Sequence, residues 1–106
     1  MSGSRTITKD DDRLDNVHPG DILRHDFLIG SEIPLAEVAA GTHIAEARLL
    51  AILNGRLAVD ADTDLRLARY FGMSEGFFLG LQNDYDIEEA KLALNGDLDQ
   101  IVPRAA

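Results

Sequence analysis

The chain has no cysteine, few basic residues and no long apolar run. Lacking cysteine, it can build no disulfide framework, no thiolate metal site and no cysteine nucleophile. No apolar stretch approaches the roughly 18–20 residues that a membrane-spanning helix requires. The opening segment MSGSRTITKDDDRLDN holds no apolar core of the kind a secretory signal needs. A cytoplasmic protein without a membrane contact is the expectation. Lys and Arg number 10 against 19 Asp and Glu, a formal charge of −9. That balance argues against gripping nucleic acid by bulk charge, because phosphate contacts need cations. It leaves room for a small local basic patch.

What is present is a sequence of 106 residues, 45% hydrophobic and 27% charged. This is one domain's length and the composition of a globular protein. The charge is unevenly spread: residues 1–16 carry −1, 17–56 carry −2, 57–81 carry −2 and 82–106 carry −4. Residues 1–16 lack core residues and read as a flexible N-terminal arm with an acidic run at Asp10, Asp11 and Asp12. Residues 17–94 read as the folded domain, and 95–106 as a C-terminal tail.

From Val17 onward the pattern is helical and well punctuated. Pro19 suits a first helical turn, followed by Ile22, Leu23, Phe27 and Leu28, and Gly30–Ser31 ends the run. Pro34 opens a second helix with Leu35, Val38 and Ala39 facing inward, and a break at Gly41–His43 precedes a third from about Ala45 to Leu53. Asn54–Gly55 stops it. Asp60 is a natural N-cap for a fourth helix that buries Leu65, Ala68 and Phe71 and ends at Gly72. Ser74 caps a fifth with Phe77, Phe78 and Leu81. Asp84 caps a further helix bearing Tyr85, Ile87, Ala90 and Leu94, which Asn95–Gly96 stops. No stretch resembles a strand. The fold class is all-α.

Enzymatic chemistry finds no support. The histidines His18, His25 and His43 are scattered, and no HExxH, GxSxG or P-loop spacing occurs. His18, ahead of Pro-Gly, suits a turn or cap, while acid pairs such as Asp62/Asp64 and Glu88/Glu89 lack a basic or nucleophilic companion. No cofactor or metal is expected. The informative stretch is IPLAEVAAGTHIAEARLLAILN, residues 33–54. Its two short helices and brief turn fit a helix-turn-helix, with Val38, Ala39, Ile44, Leu49 and Ile52 at the apolar positions and small Ala39 where the helices cross. A plain helical hairpin gives the same spacing, so the stretch alone does not decide.

The flanks add to it. HPGDILRHDFL, AEVAAGTHI, LLAILNGR, DADTDLRLARYFGMS and FFLGLQNDYD occur in order over about residues 17–94, and together they resemble the HigA-type antitoxin family. The resemblance implies a five-helix Xre/Cro-like helix-turn-helix domain with an additional C-terminal helix. It also implies a homodimer that binds operator DNA, represses its own operon and neutralises a RelE-like ribonuclease toxin. Its recognition helix would direct Ala45, Glu46, Ala47 and Ala51 at bases, with Arg48, Asn54 and Arg56 as the remaining DNA-binding positions.

These positions depart from many relatives, which carry Ser, Arg, Gln or Thr at the base-facing sites. Alanine can touch a thymine methyl and Glu can accept from cytosine N4, but no guanine-reading Arg is present there. Leu35 stands where many relatives place a phosphate-binding Gln, and His43 where a turn Gly is usual. Arg48, Arg56 and Arg24 are the local cations, so weak and strongly salt-dependent DNA binding is expected. Arg66 can instead pair with Asp62 at i,i+4. The acidic residues Asp84, Asp86, Glu88, Glu89, Asp97 and Asp99 would complement a basic toxin. Tyr85, Ile87, Leu94 and Leu98 are the expected dimer interface, with Ile101 and Val102 also in excess of a core's needs. Two other readings remain: a stand-alone transcriptional regulator, and a partner-binding module with weakened DNA binding.

Overall fold

Start and stop residues delimit five α-helices among residues 16–105, the residues that the computed structural model describes. Apart from Asn16, the expected N-terminal arm with Asp10–Asp12 lies outside them. No strand occurs among the described residues. Helix α1 (Pro19–Ile22) begins with Pro19 at its first position and His18 as N-cap, whose Nδ1 accepts the Gly20 N–H at 2.9 Å. It passes directly into a π-helical segment, Leu23–Ile29. Winding with i→i+5 bonds stacks residues five apart, and Leu23 and Leu28 are the two that this segment buries.

Helices α2 (Leu35–Thr42) and α3 (Glu46–Leu53) form a helix-turn-helix. Helix α2 runs through Gly41 to Thr42, two residues into the expected Gly41–His43 break. His43 then reverses the chain in the left-handed region, at φ 61°. A β-carbon there costs conformational energy that glycine would avoid. Thr42, buried, fastens the turn: its Oγ1 donates to the Val38 carbonyl at 2.7 Å and accepts the Ile44 N–H at 3.2 Å.

Helix α4 (Ala61–Phe71) is capped by Asp60, which accepts the Thr63 N–H at 2.8 Å, and ends at Gly72 with φ 72°. Its inward face differs from the expected one. Leu65 is 48% exposed, whereas Thr63, Asp64, Leu67 and Ala68 are buried. A carboxylate therefore occupies the core side of the helix, and its partners explain why. Asp64 accepts the backbone N–H groups of Gly76 at 2.7 Å, Phe78 at 2.7 Å and Leu79 at 2.9 Å. These are orphan donors at the start of helix α5 (Phe77–Leu94), so α5 is capped from another helix. Ser74 does not cap it; it contributes only a carbonyl to Phe77 N–H. Nor does Asp84 open a separate helix. Residues 77–94 are one continuous helix, so the additional C-terminal helix is the outer half of α5. It is followed by a 3₁₀ turn at Asp97–Gln100.

The core joins Leu23, Val38, Leu49, Ile52, Leu67 and Phe78, each almost wholly buried. Each such aliphatic or aromatic side chain stabilises the fold by about 1.5–3 kcal/mol relative to exposure. Phe27 of the π-helical segment bridges Phe71 and Phe78, with ring centroids at 4.9 and 5.2 Å. Helix α1 lies so close to α3 that a β-carbon on Gly20 would sit 2.0 Å from the Ile52 carbonyl oxygen. Only a glycine allows that approach. Gln82 ties α5 to the loop after α3: its Oε1 accepts the Val59 N–H at 2.8 Å while its Nε2 donates to Asp86 at 2.9 Å. Beyond Gln82, Tyr85 of α5 is half-buried and the remaining residues to Leu94 are exposed.

Candidate nucleic-acid interface

Helix α3 buries one face. Leu49, Ile52 and Leu53 are its buried residues, and the spacing of three and four places them on one side. Ala45 at the N-cap and Glu46, Ala47 and Leu50 on the helix are exposed, and Arg48 and Ala51 are half-buried. Asn54, Gly55 and Arg56 follow in an exposed turn. All seven expected DNA-contact residues are at least partly accessible, Arg48 and Ala51 being half-buried and the other five exposed. Leu50, 47% exposed, joins them and escaped the sequence reading. An apolar side chain at a helix position normally signals core, and nothing local marked it as outward-facing.

The cations of this region are largely occupied by the protein itself. Arg24 reaches across from the π-helical segment and donates to the Leu53 carbonyl at 3.3 Å and to Asn54 Oδ1 at 3.2 Å. It satisfies the carboxyl end of α3 and, with Oδ1 engaged, leaves the Asn54 amide N–H groups as donors toward solvent. Arg66 pairs with Asp62 at 2.5 Å and donates to the Thr42 carbonyl at 3.2 Å, bracing the turn from α4. Arg48 forms an ion pair with Asp60 at 3.0 Å. Among the described residues no ion pair involves Arg56.

Electrostatics follow from these contacts. Asp60 titrates below the ordinary carboxylate range because the Thr63 N–H and hydroxyl bond its charged form, with Arg48 adding to them. His18 titrates below the ordinary imidazole range because burial disfavours its cation, against the opposing pull of Asp21 and Asp86. Its ring stands edge-on to Tyr85 at 4.9 Å.

The expected dimer residues lie at the far end. Ile87, Leu94 and Leu98 are exposed, together with Leu92, Ile101 and Val102. Tyr85 differs from them: it is half-buried against His18, and its carbonyl accepts from Asn16 at 3.3 Å. No helix among the described residues is long and apolar enough to cross a membrane.

No family model matches the chain. Its sequence is 35% identical over 75 residues to virulence-associated protein I of Dichelobacter nodosus, spanning 71% of this chain and 69% of that protein. Its fold is similar to an addiction module antidote protein of the HigA family from Coxiella burnetii. That match has 34% identity, a TM-score of 0.77, and coverage of 85% of this chain and 98% of the other. The chain belongs to the HigA family of helix-turn-helix antitoxins. The Pseudomonas aeruginosa antitoxin HigA, solved with the higBA promoter, superposes with a TM-score of 0.77 at 28% identity. The match covers 86% of this chain and 99% of that one. Membership makes this chain an antitoxin-type helix-turn-helix regulator and not an enzyme. Within the HigA fold, the residues from Ala45 to Arg56 span the second helix of the helix-turn-helix and its two ends.

Proposed function

We propose that this chain binds operator DNA as a homodimer in the cytoplasm, represses its own operon and neutralises a RelE-like ribonuclease toxin. One observation carries the DNA-binding part: the accessible residues Ala45, Glu46, Ala47, Arg48, Ala51, Asn54 and Arg56 lie on α3 and at its two ends, in a fold shared with an antitoxin solved with its promoter. In this reading residues 17–94 are the helix-turn-helix domain, residues 1–16 an arm and 95–106 a tail. The unburied outer half of α5, through Ile87, Leu94 and Leu98, supports the dimer. The net −4 of residues 82–106 supports docking to a basic, RNA-binding partner.

A second reading is favoured by the face itself. Its base-facing positions are alanine and glutamate, and Arg48 is already paired. These features suit a partner-binding module whose DNA affinity is low in isolation. A stand-alone regulator without a toxin is the remaining alternative. Fluorescence anisotropy with the chain's own upstream DNA, with and without the product of the adjacent gene, separates the three. Specific binding plus co-purification of a small basic partner supports the antitoxin. Binding without a partner supports the stand-alone regulator, and partner capture without DNA binding supports the module.

A further inference from the structure

Asp60 does two things at once. One carboxylate oxygen accepts the Thr63 N–H at 2.8 Å and caps α4; the other holds Arg48 of α3 at 3.0 Å. Only the first role is needed for the helix, and asparagine or serine fills it about as well without a charge. The second role acts on the candidate reading face. Arg24 spends its hydrogen bonds there on neutral acceptors and has no ion pair among the described residues, whereas Arg48 faces a carboxylate. Both partners of the ion pair are solvent-accessible, at 40% and 58% of their side chains. A phosphate approaching α3 can therefore reach Arg48, but it must compete with Asp60 for the guanidinium and bring its own negative charge near a second one.

We infer that Asp60 sets the DNA affinity of this chain by holding Arg48 in an internal ion pair. Asp60 acts as a positioning residue, through Arg48, and touches no base or phosphate itself. The inference rests on the DNA-binding reading above. It assigns the weakness expected of the reading head to one carboxylate at the start of α4, rather than to overall acidity.

The test titrates upstream duplex and an unrelated duplex at several salt concentrations with the intact chain and five variants. Asp60→Asn is expected to tighten binding about fivefold, the scale of one unit charge at a few ångströms in water. It should also steepen the slope of log affinity against log salt by about one phosphate contact. Asp60→Ser, which caps through its hydroxyl, should do the same, so a folding defect in one variant does not leave the matter open. Glu75→Gln, an equal change of charge in the loop before α5, should leave affinity unchanged. In an Arg48→Ala background the gain from Asp60→Asn should largely vanish.

Equal affinities of wild type and both Asp60 variants overturn the inference while leaving DNA binding intact. An equal gain from Glu75→Gln, or an undiminished gain without Arg48, overturns it in favour of a bulk charge effect. If the Asp60 variants bind and the wild type does not, the inference stands and autorepression by the isolated wild type falls. If none binds, both fall.

Discussion

Asp64 of α4 caps α5 through the backbone of Phe78, its carboxylate accepting that buried N–H at 2.7 Å. With only 2% of its surface exposed, Asp64 is a core residue. Removing it would strand the buried Phe78 N–H at the start of α5 and strip two part-buried donors, those of Gly76 and Leu79, of their acceptor. Asp64→Ala should therefore lower unfolding stability by about 3 kcal/mol, the range for hydrogen bonds to a buried charged group. Urea denaturation measures it. A loss below about 1 kcal/mol means that the three backbone bonds are not what retains this carboxylate.

Gly20 is constrained by the carbonyl of Ile52, which belongs to the helix facing the candidate ligand. Gly20→Ala should cost about 2 kcal/mol through forced separation of α1 and α3. It should also weaken DNA binding at temperatures where the variant remains folded. Wild-type stability for this variant is incompatible with the close packing of the two helices.

His18 predicts a pH dependence with a definite sign. Its folded-state titration lies below the ordinary value of 6.5, so the unfolded chain binds the proton more readily. The stabilisation it supplies is complete above about pH 6.5 and declines as pH falls from there through the lower folded-state value. Protonating Nδ1 also removes the acceptor for Gly20 N–H. Thermal midpoints between neutral and mildly acidic buffer should fall in the wild type. They should fall less in His18→Asn, which keeps a capping acceptor without a titrating ring. An unchanged slope in that variant would falsify the assignment.

Arg56 is predicted to act as a phosphate contact. Arg56→Ala should weaken binding similarly on cognate and unrelated duplexes and flatten the salt dependence by about one contact. Loss confined to the cognate sequence would point to base reading instead.

The outer half of α5 makes an oligomerisation prediction. Ile87 is 53% exposed and Leu94 also faces solvent, so Ile87→Asp with Leu94→Asp should change stability of the protomer by no more than about 0.5 kcal/mol each. Sedimentation at tens of micromolar should give a dimer for the wild type and a monomer for the double variant. A monomeric wild type removes the interface.

Much of this arrangement was legible because helix ends announce themselves locally. Asp60, Gly72 and Asn95–Gly96 act within their own turns, and their effects need no knowledge of distant chain. The α3 register was equally plain, since Leu49, Ile52 and Leu53 repeat with helical spacing. What stayed hidden depended on neighbours far along the sequence. Leu65 and Leu67 are two apolar residues on one helix, and choosing between them required knowing that Asp64 shares the inward face. Asp64 looks like a surface acid until the amide groups of residues 76–79 are brought to it. Arg48, likewise, resembles a free cation on α3, because its partner Asp60 is recognisable only as a cap. The Gly20–Ile52 approach leaves no local signature beyond a glycine in a first turn.

Gln82 joins α5 to the segment leaving α3; past that point Tyr85 meets His18 and Asn16, Glu89 meets Asn16, and the rest of the helix is exposed. A rod gripped firmly at one end transmits orientation along its length. Should two copies pair through the exposed portion, the distance between their α3 helices becomes a property of α5 and of the Gln82 clasp. The spacing of operator half-sites would then be dictated by residues that never approach the duplex.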